Sequence, residues 1–404
     1  MENNFRNRYY LILISSVLGP LSTNSLVPIF EQLRINYYLS SVTFISLAFF
    51  VYMFPFAIMQ LFAGSFSDIV DRKKVVYMGY FIFLIGLSLT VLSIFLRSYV
   101  LFLMGFLFQG IGFSFINPTV LAIISIITPE KREGLMMGLY NSSAGIGVSG
   151  GAIISGLLAN IDWRLLFILN PIITVLSLIL FIYALKNCEA LVCRTYELNE
   201  GSKMINIKLK IKELYSQLQE NFKINILLLG MLGFFAFFGV ITLTNTLNDQ
   251  IRLNIPYLNS IEVTNYVSLI LTVNGLISVG ISPFSGNILN KIRPLIMIAI
   301  GFFLMIAISG MPLASSIPVF MMISFTIYLG SAFIWPALFK EAMDLNPEAR
   351  GTNSAIINSL RFLGYSMVGV FYAFFNIPVI YYFVLVFVFV SLIIILLLMF
   401  YIKT

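Results

Sequence analysis

Ionisable side chains inside a bilayer cost several kcal/mol and normally face a cavity or a partner, so any such residue is a candidate site. Arg361 is one. It stands in Asn358-Ser-Leu-Arg-Phe-Leu-Gly, about nine residues into an apolar segment, which at about 1.5 Å per residue puts it well inside a membrane-spanning helix. No carboxylate is found at comparable depth in any apolar segment. Arg361 can bind an anionic group of a substrate, or neutralise an inward-reaching acid such as Glu341 or Asp344. Against these stands an arginine that snorkels toward the interface or caps backbone carbonyls, although half a bilayer leaflet is a long reach for one side chain.

The other chemistry-bearing residues are few. Glu31, Asp249 and Glu262 fall at one set of segment ends, where they could take protons and drive an exchange, or simply be solvated as loop residues. The chain has no histidine, so a histidine relay is impossible, and no Walker loop supports ATP-driven transport. Cys188 and Cys193 are too few for a disulfide framework and lack partners for zinc. They read as reduced spectators. No acid, histidine or metal cluster of the kind a membrane enzyme needs is visible, and no metal or cofactor is expected.

The elements that must position these residues follow from composition. Of 404 residues, 59% are hydrophobic and 10% charged, against about 25% charged in an average soluble domain. Apolar stretches of 18 residues or more recur along the chain, each long enough to cross a hydrocarbon core of roughly 30 Å as a helix. A β-barrel would alternate apolar and polar residues instead. Spans are predicted near 9–30, 42–63, 74–96, 100–126, 135–159 and 164–185, then near 224–247, 263–289, 294–313, 316–339, 352–375 and 378–402. The opening MENNFRNRYY has no small-residue cleavage site, so the first span is expected to remain.

The formal charge of +7 sits in short loops and not on one face of a domain, which argues against nucleic acid. With the N-terminus inside, only Arg34, Arg97, Arg164 and Arg252 fall in outer loops, and Arg361 falls within a span. Every other Lys and Arg lies on the inner side. The positive-inside rule therefore predicts a multi-pass protein of the cell membrane with both termini and the central segment cytoplasmic. The organisation is a first bundle over 1–185, a linker over 186–222 and a second bundle over 223–404. The linker's KMINIKLKIKELYSQLQENF fits an amphipathic helix on the membrane face or a solvated tether.

An internal repeat supports two bundles. Gly112 and Pro118 in the fourth span recur as Gly330 and Pro336 in the tenth, at one offset, and Pro129 recurs as Pro347. Gly64 and Gly286 follow nearly the same spacing. Duplicated parallel halves around a midplane cavity are the build of many secondary transporters.

The loop after the second span reads Gly64-Ser-Phe-Ser-Asp68-Ile-Val-Asp71-Arg72-Lys73-Lys74. It resembles the signature loop of the major facilitator superfamily, G-x-L-x-D-x-x-G-R-K, with Asp71 where that family usually has glycine. The resemblance implies an all-α integral membrane protein, twelve transmembrane helices in two pseudo-symmetric six-helix bundles, with this loop as a cytoplasmic gate. Leu18-Gly19 with Pro28, and Trp163-Arg164 with Phe167, Asn170 and Pro171, are similar to motifs of the drug:proton antiporter branch. Gly138, Gly145, Gly147, Gly150 and Gly151 resemble its glycine-rich fifth helix, where Gly145, Gly147, Gly150 and Gly151 read first as helix packing. Phe106 stands where that branch carries the arginine it associates with proton transfer.

The resemblance further implies a central cavity lined by helices one, four, seven and ten, helped by two, five, eight and eleven. Polar or aromatic residues at suitable depth there are Asn24, Gln109, Asn117, Asn141, Asn245, Asn274, Trp335 and Asn358, besides Arg361. Each alone reads equally as an interhelical hydrogen bond. Together they suit small amphipathic compounds. The expected function is alternating-access secondary transport, as proton-coupled export of such compounds, with uptake or exchange of an organic anion as the alternative and a transporter-shaped sensor as a further rival. The expected partners are a small-molecule substrate, the lipid bilayer and protons as coupling ion.

Overall fold

The computed structural model describes residues 7–69, 71–128, 130–186, 188, 224–289, 291–345 and 350–401. Apart from Lys186 and Cys188, the expected linker lies outside the described residues. All regular structure among the described residues is helical.

Twelve helical elements run in chain order. They are α1 (Arg8–Asn36), α2 (Leu47–Ile69), α3 (Arg72–Leu96), α4 (Tyr99–Ile127), α5 (Glu130–Ala159), α6 (Leu165–Ala184), α7 (Ile224–Asn254), α8 (Ser260–Ile288), α9 (Pro294–Met305, continued as a 3-10 turn Ile306–Leu313), α10 (Ile317–Leu345), α11 (Arg350–Phe374) and α12 (Ile377–Tyr401). Eleven of these are long and apolar enough to cross a membrane, and α11 is the exception. Its asparagines, serines and Arg361 lower its hydropathy, so the helix that falls short is the one that carries the buried charge.

Element ends follow local chemistry. α1 is composite, with an α-helix Ile14–Asn24, a 3-10 turn Val27–Ile29 and a helix Phe30–Asn36. The α-helix stops at Asn24 because Pro28 lacks an N–H and its ring crowds the carbonyl four residues back. Asp71 caps α3, its Oδ1 accepting from Lys73 N at 2.8 Å, a common way to satisfy a free N–H at a helix start. At α8, Asn259 Oδ1 accepts from Glu262 N at 2.9 Å while Glu262 Oε2 accepts from Asn259 N at 2.8 Å. That reciprocal pair is a capping box, so Glu262 is committed to a helix start and not free for coupling. Several helices outrun their predicted spans: α1 reaches Asn36, α5 begins at Glu130, α7 runs to Asn254 and α10 to Leu345. Apolar character marks the hydrocarbon layer, whereas a helix continues through polar turns beyond it.

Packing repeats with an offset of six helices. α1 packs on α5 as α7 packs on α11; α3 packs on α4 as α9 packs on α10; α2 packs on α4 as α8 packs on α10. The duplicated glycines lie at equivalent crossings. A Cβ on Gly112 would stand 2.7 Å from the Gly79 carbonyl, and one on Gly330 would stand 2.6 Å from the Gly301 carbonyl. Backbones this close admit only glycine. Two helix pairs then cross between the halves, α5 with α8 and α2 with α11, again related by the same exchange.

Candidate functional site

The centre of the interface between the halves is aromatic and holds one cation. The Arg361 guanidinium carbon lies 4.1 Å from the Trp335 ring centroid, 4.3 Å from that of Phe237 and 5.2 Å from that of Phe362. These rings come from α10, α7 and α11, so three helices of the second half build the cradle. Phe362 in turn meets Phe56 of α2 edge-on at 4.7 Å, and Phe56 stacks on Phe113 of α4 at 5.4 Å. The cluster therefore bridges both halves. Tyr140 of α5 interacts electrostatically with the guanidinium and donates its hydroxyl to Asn117 Oδ1 at 2.7 Å.

Arg361 does not snorkel; ring faces hold it in place. Its Nε has no hydrogen-bond partner. The neutralising acid allowed for from the sequence is not there, since the one ion pair among the described residues is Arg34 with Glu31 at 2.7 Å. Arg361, Phe237, Trp335, Phe362 and Asn358 are each only half-buried although they lie within the bundle, so accessible surface remains beside the guanidinium, in a space termed the chamber. Cation–π contact and fixed ring dipoles offset part of the cost of the buried charge, and an incoming anion would offset the rest.

The other sequence-selected residues divide sharply. Trp335 donates Nε1 to Ser331 at 2.7 Å, which fixes its ring. Asn358 donates to Gln60 Oε1 across the halves at 3.2 Å, next to the chamber. Gln109 accepts from Ser22 at 2.5 Å, Asn24 donates to the Pro20 carbonyl at 2.9 Å and Asn274 donates to Ser324 at 2.6 Å, so these three serve packing. Asn245 is fully buried, and neither side-chain heteroatom has a partner. The Asn141 side chain lies outside the described residues. Phe237, Phe362 and Tyr140 carry the chamber, yet nothing in the sequence singles them out among 39 Phe and 20 Tyr.

In the gate loop, Asp71 is spent on the α3 cap and Lys73 donates Nζ to the Leu185 carbonyl at 3.1 Å. That ties the start of α3 to the end of α6 within the first half. Arg72 lies in the first turn of α3. Gly64 and Asp68 lie on α2, with their side chains outside the described residues. On α5, a Cβ on Gly145 would meet the Gly275 carbonyl at 2.9 Å, one on Gly147 the Val17 carbonyl at 2.6 Å and one on Gly151 the Leu21 carbonyl at 2.7 Å. Gly150 differs: nothing lies within 4 Å of its missing Cβ, so packing does not account for it, because it faces away from both α1 and α8.

The halves are fastened at the end away from the termini, here the loop end, which carries the α1–α2 and α7–α8 connections. Thr264 donates to the Pro28 carbonyl at 2.9 Å and accepts from Gln32 at 3.2 Å. Asn248 donates to the Val27 and Pro28 carbonyls, both at 3.4 Å. Ser46 donates to the Gly369 carbonyl at 3.0 Å, and Asn160 and Asn265 exchange amide bonds at 3.0 and 3.3 Å. The proline-broken backbone of α1 supplies the accepting carbonyls. Residues 21–30 and 238–248 are buried without interruption. Asp249, expected at the outer end of the seventh span, lies in the last two turns of α7 and accepts from Tyr372 at 2.7 Å.

Residues 12–369 match the family model described as Major Facilitator Superfamily. The chain is 22% identical over 395 residues to an uncharacterized MFS-type transporter, Rv1250, of Mycobacterium tuberculosis, covering 88% of this chain and 66% of that one. It is 31% identical over 130 residues to the riboflavin transporter RibZ of Clostridioides difficile, covering 32% of this chain and 28% of that one. The chain thus spans less than two thirds of the length of these relatives. A POT family transporter solved in complex with 5-aminolevulinic acid superposes with a TM-score of 0.73 at 13% identity, over 98% of this chain and 95% of that one.

Proposed function

The chain belongs to the Major Facilitator Superfamily, whose members are membrane transporters, and from that premise we propose that it moves a small organic molecule bearing an acidic group and a flat apolar body. The cargo sits in the chamber around Arg361 and crosses by alternating access of the two halves. One observation carries this: a guanidinium held between Trp335 and Phe237 with no carboxylate paired to it among the described residues. An anionic group would make charge-assisted bonds with it, while the rings receive the apolar body. The likeness to a riboflavin transporter over part of the chain is in keeping with a small organic cargo.

In this mechanism the bundles 1–185 and 223–404 rock about the chamber, joined by 186–222. The basic character of one set of loops supports a cytoplasmic location for both termini at the cell membrane. The conformation described is closed at the outer, loop end. When the opposite end closes, the α2–α3 corner, with Asp68 at the end of α2 and Arg72 and Lys73 at the start of α3, gates it. Proton-coupled export of amphipathic compounds is the second reading, favoured by the half-buried acid Asp249 on α7.

Transport into proteoliposomes under an imposed pH gradient separates the two, with organic anions and cationic dyes tested on the parent, Arg361→Ala and Arg361→Lys. Anion movement lost in Arg361→Ala and partly kept in Arg361→Lys is the expected result. Gradient-driven dye movement that survives the loss of Arg361 would overturn the anion reading in favour of export.

A further inference from the structure

Organic cations are drawn to the negative faces of aromatic rings, and several such rings together form a cage for a quaternary ammonium or guanidinium group. Trp335, Phe237 and Phe362 make a cluster of that kind, with centroids 4.1, 4.3 and 5.2 Å from the Arg361 guanidinium carbon. Its occupant is tethered to the protein. The stem of Arg361 leaves α11 against Gly233, where a Cβ would stand 3.8 Å from that of the arginine, and Gly233 lies one turn before Phe237 on α7. The Arg361 Nε has no hydrogen-bond partner, and no carboxylate pairs with the residue among the described ones. Ring faces hold the charge.

The rings also hold one another. Phe237 meets Trp335 at 5.1 Å and 79°, Phe362 at 5.6 Å and 73° and Tyr365 at 5.5 Å and 85°, so one ring stands edge-on to three others, a geometry that aromatic pairs prefer. Trp335 is anchored through Nε1 to Ser331, and Phe362 rests on Phe56 of the first half. Truncating Arg361 therefore empties the cage without dismantling its walls. Ring faces cannot replace the water around a metal ion or a compact, strongly hydrated ammonium, so the cage suits weakly hydrated organic cations.

We propose that this cage is an organic-cation site kept filled by Arg361, so that the tethered guanidinium makes the chamber refuse cationic amphipathic compounds while it attracts anionic ones. The exclusion has two parts. The guanidinium lies in contact with the Trp335 and Phe237 faces, which leaves those faces filled, and a second cation beside it would meet a like charge where water is scarce. Discrimination of this kind rests on a repulsive element as much as on an attractive one. The inference rests on the chamber being the cargo site, as read above, and adds the class of compound it rejects.

Binding of radiolabelled tetraethylammonium to the purified protein in detergent tests it, with naphthoate as a flat organic anion alongside. The parent is expected to bind naphthoate and no tetraethylammonium, and Arg361→Ala to bind tetraethylammonium saturably. Adding Trp335→Leu to Arg361→Ala should weaken that binding roughly tenfold to a hundredfold, the scale of a desolvated cation–π contact. Free guanidinium should compete with tetraethylammonium in Arg361→Ala and restore part of its naphthoate binding, because it refills the cage. Arg361→Gln, too short to lie between the rings, is read in the same way should the alanine variant not fold. A folded Arg361→Ala or Arg361→Gln protein that binds no tetraethylammonium overturns the proposal, and naphthoate binding by the parent then leaves the anion reading standing. A parent that binds tetraethylammonium as tightly as the variants also overturns it. A parent that ignores naphthoate while Arg361→Ala takes tetraethylammonium keeps the cage and counts against the anion reading. Cation binding gained on loss of Arg361 differs from dye movement shared by parent and variant, which is the signature of export.

Discussion

The loop end and the chamber are both built from polar groups taken out of water, and they treat those groups in opposite ways. At the loop end a set of donors crosses between the halves to acceptors: Thr264 and Asn248 reach the α1 carbonyls, Ser46 reaches Gly369 and the Asn160–Asn265 amides answer each other. In the chamber the guanidinium meets ring faces, and its Nε is left without a partner. A satisfied polar contact holds two bodies together, whereas an unsatisfied one retains free energy for a ligand. The difference separates the fastening from the receptor.

The largest way to break this contrast is Arg361→Ala. Charge-assisted hydrogen bonds to a buried ion are worth about 1.5–3 kcal/mol, so affinity for an anionic cargo should fall roughly tenfold to a hundredfold, read by binding titration in detergent. The fold should survive, because the residue removed is an uncompensated charge.

Next comes Gly145→Leu. Its Cβ would meet Val279 at 2.7 Å and the Gly275 carbonyl at 2.9 Å, and overpacking of this kind costs about 1–3 kcal/mol. Spin-label distances between the halves should then show them forced apart with the chamber residues untouched, and Gly150→Leu should leave those distances as in the parent. Equal effects at the two glycines would sink the assignment of open space to Gly150.

Thr264→Val and Asn248→Leu sharpen the comparison more gently. Hydrogen bonds between membrane helices average about 0.6 kcal/mol, so each change should open the loop end by roughly threefold in population. Trp335→Phe should matter least. A ring face over Arg361 persists while the bond to Ser331 goes, and cargo affinity should drop less than about fivefold, in line with a loss below about 1 kcal/mol.

Part of this was legible in the residues alone. Glycines and prolines repeating at one offset disclose a duplication, because the same backbone approach, Gly79 to Gly112 and Gly301 to Gly330, needs the same small residue twice. The depth of Arg361 is equally plain, since one charge in an apolar run stands out. The rings around it were not legible: Phe237, Trp335 and Phe362 come from three helices, and phenylalanine is too common in lipid-facing helices to carry a signal. Asn24, Gln109 and Asn274 shared the depth and polarity of a cavity wall, but the α1 backbone claimed Asn24 and partners on neighbouring helices claimed the other two. The position of Asp249 at the outer end of the seventh helix was legible, but its bond to Tyr372 was not, because the apolar run ends at 247 whereas the helix, held by backbone hydrogen bonds, runs on to Asn254.

The sequence by itself determined that the chain is a helical membrane protein of two duplicated bundles with one deep cation, because hydrophobic length, repeat spacing and the cost of a buried charge are properties of residues in order. Only the tertiary structure decided that this cation is held by ring faces and pairs with no acid among the described residues, that the glycines divide between contact and open space, and that the loop end is the end fastened. Those outcomes depend on which atoms from distant segments come within hydrogen-bond or van der Waals range, and that follows from how the helices cross.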